Sequence, residues 1–444
     1  MSLNRRDFMG YLGVSGAALT TSARTQAQGP LPTSSRELWQ LAQLQPVLDA
    51  DVVWLDTAGG APSLRSVLIE EYRQREALSR DRERYLREQC GGDSVRQLLG
   101  SIGQFLGTDV DSLALLSGAT EALNSIAAGI DLTAGDEILA TVHEHPASIS
   151  PWLLAAKRRG VKLVQIELPH PVTAPEQIVA AFTAAITERT RVMSFSHVQY
   201  TDGCVMPVSE LCALARAHSI LSVVDGAQAL GMLPLSVQSL GADFYAASFY
   251  KWLNGPVHAG ALVFSPAARF RLWPLIVDTR SDWDGADAMP SPSAPATPPA
   301  TSPSIAAGWP MSLRKFTASF AQLSPSCFSV VPSMSFQQEI GCDRVLARIR
   351  ELAWYLRLEL QRLPGVEIVT PAHPSLWAGI VSFRIPGVDG VALADALARR
   401  ERIVLGFVRH PGTGIELLRA CPHIYNDYAQ LDRMVAALRR ALRA

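Results

Sequence analysis

Between about residues 110 and 265, short apolar runs alternate with stretches of helix length, and this alternation constrains the fold more than any other feature of the chain. The strand candidates are Leu113–Leu116, Glu137–Val142, Val161–Leu168, Arg191–Val198, Leu221–Asp225, Phe244–Ser248 and Gly260–Ser265. Between two of them, Ile178, Val179, Ala181, Phe182, Ala185 and Ile186 recur at helical spacing. Strands joined through helices make parallel crossovers, which predicts an α/β sheet covered on both faces. Ligands of such sheets bind beyond the carboxyl ends of the strands, so chemically active residues are expected directly after strands.

The remaining segments supply boundaries. A chain of 444 residues has room for two or three domains. Residues 286–308 are rich in Pro, Ser and Ala and read as a loop or linker. Beyond it, Val345, Leu346, Ile349, Leu352, Ala353 and Leu356 mark a helix, and Ala378–Phe383 reads as a strand. Leu431, Met434, Val435, Leu438 and Leu442 share one face of a last helix. The region 309–444 is thus expected to form a smaller α+β domain behind a large domain spanning 28–285. At the start, Arg5-Arg6-Asp7-Phe8 precedes a Gly/Ala-rich apolar run and a small-residue stretch near Thr25-Gln26-Ala27. A basic head, short apolar middle and small-residue end describe an export signal over 1–27, and the paired arginines resemble a twin-arginine signal. A disordered basic start or a short anchor are the alternatives. No segment reaches the about 20 apolar residues that a stable membrane span requires. Lys plus Arg (40) nearly balance Asp plus Glu (41), which gives no electrostatic reason to expect a nucleic acid partner. The six cysteines lack metal-binding spacing, so no metal site is expected.

The chemistry concentrates after the strands. Ser222-Val223-Val224-Asp225-Gly226-Ala227-Gln228 is an apolar strand ending in an acid, followed by small residues. A lone Asp there reads as a helix cap. Further on, Phe244-Tyr245-Ala246-Ala247-Ser248 leads to Phe249-Tyr250-Lys251-Trp252, and then Asn254-Gly255-Pro256. A lysine between Tyr250 and Trp252 has surroundings that lower an amine pKa by desolvation, as Schiff-base chemistry needs. Ser117-Gly118-Ala119-Thr120 follows a strand and opens a helix, where backbone amides favour phosphate. The alternative is a simple helix cap.

Taken together, Asp225-Gly-Ala-Gln228, Ser248-x-x-Lys251 and Gly255-Pro256 resemble the signature of the class V aminotransferases, which are fold-type I pyridoxal 5′-phosphate (PLP) enzymes. The similarity extends over roughly residues 50–440. It implies a large domain with a mainly parallel seven-stranded sheet and a smaller C-terminal domain. It also implies PLP held as a Schiff base by Lys251, which then moves the proton at the substrate α-carbon. Asp225 pairs with the pyridine nitrogen in this reading. Gln228 bonds the phenolic oxygen, and Ser248, Tyr250 and the turn Gly118-Ala119-Thr120 hold the phosphate. Glu144-His145-Pro146-Ala147 and Pro151-Trp152 are similar to the segment whose His stacks on the ring, which assigns His145 rather than His143. Arg419, before Tyr425-Asn426, matches the residue that grips the substrate carboxylate, and Arg409 is expected to assist. Tyr200 stands where cysteine desulfurases carry an Asn near the phenolic oxygen. A role in proton transfer and a neutral replacement are both open.

Two departures narrow the reading. Residues 404–414 lack the nucleophilic Cys of the desulfurases, and Cys421 follows Arg419, which argues against the usual desulfurization. The Gly-Thr pair by which a neighbouring subunit reaches the phosphate is not evident near Gln322-Leu323-Ser324-Pro325; Ser324 is available in its place, and a homodimer is still expected. The expected substrate is an amino acid or an amino-acid-containing metabolite. Transamination, epimerisation and C–S lysis all fit the scaffold. Export of a folded, cofactor-loaded protein through the twin-arginine machinery places it in the periplasm. There it resembles the PLP enzymes that modify the side chain of the siderophore pyoverdine.

Overall fold

The computed structural model describes residues 34–276, 315–316, 324–409 and 414–443. The expected signal 1–27 and the expected loop 286–308 lie outside them. The described residues divide after residue 41 into two units. Ser34 opens the helix Ser35–Gln43, which runs past that division: its hydroxyl accepts the Glu37 amide at 3.3 Å and donates to the Glu37 carboxylate at 2.7 Å. Everything that follows concerns the second.

Its strands, in chain order, are β1 (Val53–Leu55), β2 (Leu113–Leu116), β3 (Glu137–Thr141), β4 (Lys162–Ile166), β5 (Thr190–Ser196), β6 (Leu221–Asp225), β7 (Phe244–Ser248), β8 (Gly260–Phe264), β9 (Glu367–Ile368), β10 (Val381–Arg384), β11 (Ile403–Arg409) and β12 (Glu416–Ala420). The seven expected strands form one sheet in the order β2-β8-β7-β6-β5-β3-β4. The pairs among β7, β6, β5, β3 and β4 are parallel, and β8 alone runs against both its neighbours. Consequently β2 points the same way as β7, and the carboxyl ends of six strands meet at one edge.

Side-chain alternation explains why these strands read as continuous apolar runs. Leu115, Leu139, Phe195, Val224 and Ala247 enter the core on one face. Leu116, Ile138, Val192, Val223 and Ala246 enter a second core on the other. Both faces are dry, so neither parity needs a polar residue. The helix Pro175–Ala185 buries Ile178 and Phe182, as its spacing predicts.

The second sheet has the order β1-β11-β12-β10-β9. Its core joins Val53, Leu55, Phe383, Leu405 and Leu418 to Leu352 and Leu356 of the helix Cys342–Gln361 and Leu431 and Leu438 of the helix Tyr428–Ala441. Here the sequence reading needs a correction. Residues 53–55 fall within the expected large domain 28–285, yet β1 pairs in parallel with β11, with Val53 opposite Ile403 and Leu55 opposite Leu405. A three-residue strand carries too little pattern to reveal its partner. No described helix is long and apolar enough to cross a membrane.

Candidate active site

The carboxyl edge of the large sheet carries a pocket lined by Ala119, Thr120, His145, Ser196, Tyr200, Asp225, Gln228, Ser248, Tyr250 and Lys251, among others. Each follows a strand or opens the next helix. Asp225 ends β6 and Ser248 ends β7. His145 is the N-cap of the helix Pro146–Arg159, and Ala119 starts the helix Ala119–Gly129 after β2.

Lys251 is 7% exposed, and burial draws its amine down to about 8, with Asp225 opposing the shift and Arg419 adding to it. Its Nζ lies 5.9 Å from the Tyr250 ring centroid. Asp225 is equally buried; its Oδ1 accepts the Ala227 amide at 2.9 Å, and it has no ion pair among the described residues. A buried carboxylate with no cation opposite it is suited to a ligand that brings one. Gln228 is held at both ends: its Oε1 accepts the Trp252 indole N–H at 2.9 Å and its Nε2 donates to the Ala58 carbonyl at 2.9 Å. One amide hydrogen remains available.

At the helix start, the Ala119 amide donates to Ser248 Oγ at 2.9 Å. The Gly118 and Thr120 amides make no hydrogen bond among the described residues, and Thr120 lines the pocket, so this helix start offers donors there. Gly118 has φ +152°, and Gly260 crosses it so closely that a Cβ at 260 would lie 2.4 Å from the Gly118 Cα. The neighbouring Ser117 amide is satisfied by the Glu121 carboxylate at 2.7 Å.

His145 Nδ1 accepts the Ala147 amide at 3.1 Å, which leaves Nε2 as the protonated nitrogen of the neutral ring. Burial lowers its pKa, and Lys251 adds to that. Its ring meets Tyr200 edge-on at 4.8 Å. His143 does not line the pocket; its Nδ1 meets Thr201 Oγ1 at 3.1 Å, in accord with the choice of His145.

Arg419 is 5% exposed on β12, just behind the pocket wall. Its Nη1 donates to the Tyr200 carbonyl at 2.8 Å and its Nη2 to Asp56 Oδ1 at 3.0 Å, while Nε has no partner. Gly406 stands opposite on β11, where a Cβ would fall 2.5 Å from Asp56 Oδ1 and 2.9 Å from Arg419 Nε. Arg409 does not join it. It lies in strand β11, not in a loop, paired across the sheet with Glu416 at 2.7 Å and two-thirds exposed. Gly406 faces Arg419, so by alternation Arg409 projects from the opposite face of the sheet. The expectation that Arg409 assists at the site is therefore withdrawn.

Two further residues of the site were given no role by the sequence: Asp56 carries no motif, and Glu144 appears only as the residue before His145. Asp56 follows β1 and reaches Arg419 only because β1 joins the small sheet. Glu144 precedes His145 and is buried. Its oxygens accept Thr141 Oγ1 at 2.7 Å and Ser196 Oγ at 2.6 Å, and burial raises its carboxyl to about 7. Cys421 is fully buried, with its thiol pushed up to about 12 by burial, which makes it a poor nucleophile.

Residues 53–280 match the family Aminotransferase class-V. The chain is 33% identical to isopenicillin N epimerase of Streptomyces clavuligerus over 401 residues, 90% of this chain and 97% of that protein. A probable cysteine desulfurase of Halalkalibacterium halodurans is 27% identical over 81% of this chain and 85% of its own. Among solved structures, the cystine C–S lyase C-DES in complex with its product cysteine persulfide superposes with a TM-score of 0.74 at 23% identity, covering 88% of this chain and 98% of that one. The cysteine desulfurase CsdA from Escherichia coli gives 0.73 at 22% identity, covering 91% and 98%. These last two likenesses bear on the fold alone, and the fold is that of the fold-type I PLP enzymes.

Proposed function

On the premise that this chain belongs to the class V aminotransferase family, we propose that it binds PLP at Lys251 and acts on the amino group and α-carbon of an amino acid or amino-acid-containing metabolite. The observation that carries this reading is one pocket holding a buried primary amine, a buried carboxylate without an ion pair, and the start of a helix with unpaired amides. The amine fits an aldehyde, the carboxylate a protonated ring nitrogen, and the amides a phosphate. When bound, PLP supplies an electron sink that lets the substrate α-carbon lose a substituent as a cation.

The chain's own groups do the rest. Lys251, drawn down to about 8, has a larger neutral fraction near neutral pH than an ordinary lysine and would take up and return a proton at the α-carbon. Asp225 would hold the positive charge of the ring nitrogen, and the spare Gln228 hydrogen would serve the phenolic oxygen. His145 would stack on the ring, oriented by the Ala147 amide that its Nδ1 accepts. Arg419 receives the substrate carboxylate on donors that Asp56 and the Tyr200 carbonyl do not occupy.

Proton return at the α-carbon, as in an epimerase, is the best-supported outcome. Identity is higher to the isopenicillin N epimerases than to the desulfurases, and residues 404–414 offer no cysteine. We propose further that the protein works as a homodimer and is exported to the periplasm by the segment 1–27, where an amino-acid-bearing siderophore is one substrate class to test. The decisive experiment incubates the holoprotein with free and side-chain-extended amino acids in D2O and follows the α-proton by NMR and the products by mass spectrometry. Exchange at the α-carbon with a change in the visible absorption is expected. A protein that shows neither with any of these amines does not have this function.

A further inference from the structure

Lys251 lines the pocket, whereas the next residue, Trp252, does not. Its indole is fully buried behind Gln228. A buried indole N–H needs an acceptor, and this one donates to Gln228 Oε1 at 2.9 Å. Neighbouring groups hold the residue in place. The Trp252 carbonyl accepts His423 Nε2 at 2.8 Å, from the segment after β12, and Gln337 Nε2 at 2.8 Å, from the helix Val331–Ile340. Burial draws His423 down to about 4, so its neutral ring donates from Nε2. At the far edge of the indole, Gly379 sits so close that a Cβ there would lie 2.5 Å from Cη2. The ring thus packs against bare backbone on that side.

A glutamine amide has two ends of nearly equal shape and opposite polarity, so its direction is set by its partners. An indole N–H is a donor only, and a backbone carbonyl is an acceptor only. The first fixes Oε1 of Gln228, and the Ala58 carbonyl, at 2.9 Å, fixes Nε2. Ala58 belongs to the turn after β1 that also carries Asp56, the partner of Arg419. With the oxygen engaged by the indole, Gln228 presents an N–H to the pocket that it lines. Turning the amide over would set hydrogen against hydrogen at Trp252 and carbonyl against carbonyl at Ala58. Burial keeps water from relieving either clash.

We propose that Trp252 is a positioning residue that fixes the Gln228 amide as a hydrogen-bond donor toward the phenolic oxygen of the cofactor. The inference rests on the reading of the function given above. Trp252 stays outside the pocket and acts through Gln228 alone. A phenolic oxygen bearing negative charge is stabilised by an N–H and repelled by a carbonyl oxygen. Without the indole N–H, Gln228 Oε1 is left buried and lacking its donor. The amide is then free to turn about its remaining bond to Ala58, which draws its oxygen toward the polar pocket. The donor to the phenolic oxygen is weakened although Gln228 itself is unchanged.

The test reconstitutes the full-length protein with PLP and with 3-deoxypyridoxal 5′-phosphate, which lacks the phenolic oxygen. Dissociation constants for both are measured by equilibrium dialysis in the native protein, Trp252→Phe, Gln228→Leu and the double variant. Trp252→Phe is expected to weaken PLP roughly tenfold relative to the deoxy compound. In the Gln228→Leu background the same change is expected to cost PLP nothing further relative to that compound, because the indole has no amide left to orient. A residue that serves only packing weakens both compounds alike. Should Trp252→Phe not fold, 3-benzothienylalanine in place of Trp252 keeps the ring shape, lacks the N–H and carries the same expectation. Equal losses for the two compounds, or a further selective loss in the Gln228→Leu background, overturn the role of Trp252 and leave the reading of the function intact. Native protein that retains neither compound overturns both.

Discussion

The two sheets serve the site in different ways. The seven-stranded sheet delivers Asp225, Ser248 and, three residues on, Lys251 from the ends of its own strands, each within a few residues of the run that specifies the strand. The five-stranded sheet delivers Arg419 together with Asp56, two residues separated by 363 positions and brought together only by the pairing of β1 with β11. The first half of the site follows from local chain direction. The second is a long-range assembly, held by one partly buried ion pair and the space that Gly406 leaves for it. In the proposed function, cofactor attachment falls to the large sheet and substrate orientation to the small one, and mutation is expected to separate the two.

The largest effect that tests this division is at Lys251. Lys251→Ala is expected to abolish the visible absorption of the bound cofactor and to lower activity roughly 10³-fold or more, with the fold intact by circular dichroism. A variant that kept both would remove the large sheet from the chemistry. Arg419→Gln should come next, lowering kcat/KM on the order of 10²-fold, chiefly through KM, while leaving cofactor capture unchanged. Loss of cofactor in that variant would erase the distinction between the sheets.

Asp56→Asn probes the same pair from its other side. It leaves the buried Arg419 charge beside a neutral amide, and because Asp56 is itself partly exposed a stability loss of about 1.5 kcal/mol is expected in denaturant titration, together with a raised KM. A KM change without the stability change would mean that Asp56 does not hold Arg419 in place. For the large sheet, the pH dependence of cofactor capture by the apoprotein sharpens the point. Capture needs the neutral Lys251 amine, so its rate should rise with pH around a midpoint of about 8, well below the ordinary lysine value of 10.5. A midpoint near 10.5 would show that burial does not tune this amine.

The smallest effect concerns Glu144. Its carboxyl binds a proton more tightly in the folded chain, at about 7, than at its ordinary 4.5. The folded state therefore holds more protons between those values, and stability falls as pH rises through that window. Glu144→Gln should flatten that part of the Tm–pH curve. An unchanged slope would place its source elsewhere.

The sequence was most informative where chemistry and strand pattern coincide. Asp225, Gln228, Ser248 and Lys251 stand beside unmistakable strands, and His145 beside the start of a helix with Pro at its first position, so their convergence followed once the sheet was taken as parallel. Arg409 was misread because side-chain facing in the small sheet depends on the register of β11 against β12, and a one-residue shift reverses every face. Asp56 and Glu144 were passed over because a carboxylate after a three-residue strand and a carboxylate beside a histidine look like surface residues until burial and partners are known.

By itself, then, the order of residues determined the class of fold, the cofactor, and which lysine and strand-end acid to propose for it, because strand period and strand-end chemistry are local properties of the chain. Only the tertiary structure decided which arginine faces the site, that a carboxylate 363 positions away holds it, and that Trp252 and Ala58 grip the two ends of the Gln228 amide. Those depend on register and on the meeting of distant segments, where the free energy comes from packing and burial, not from any one segment's sequence.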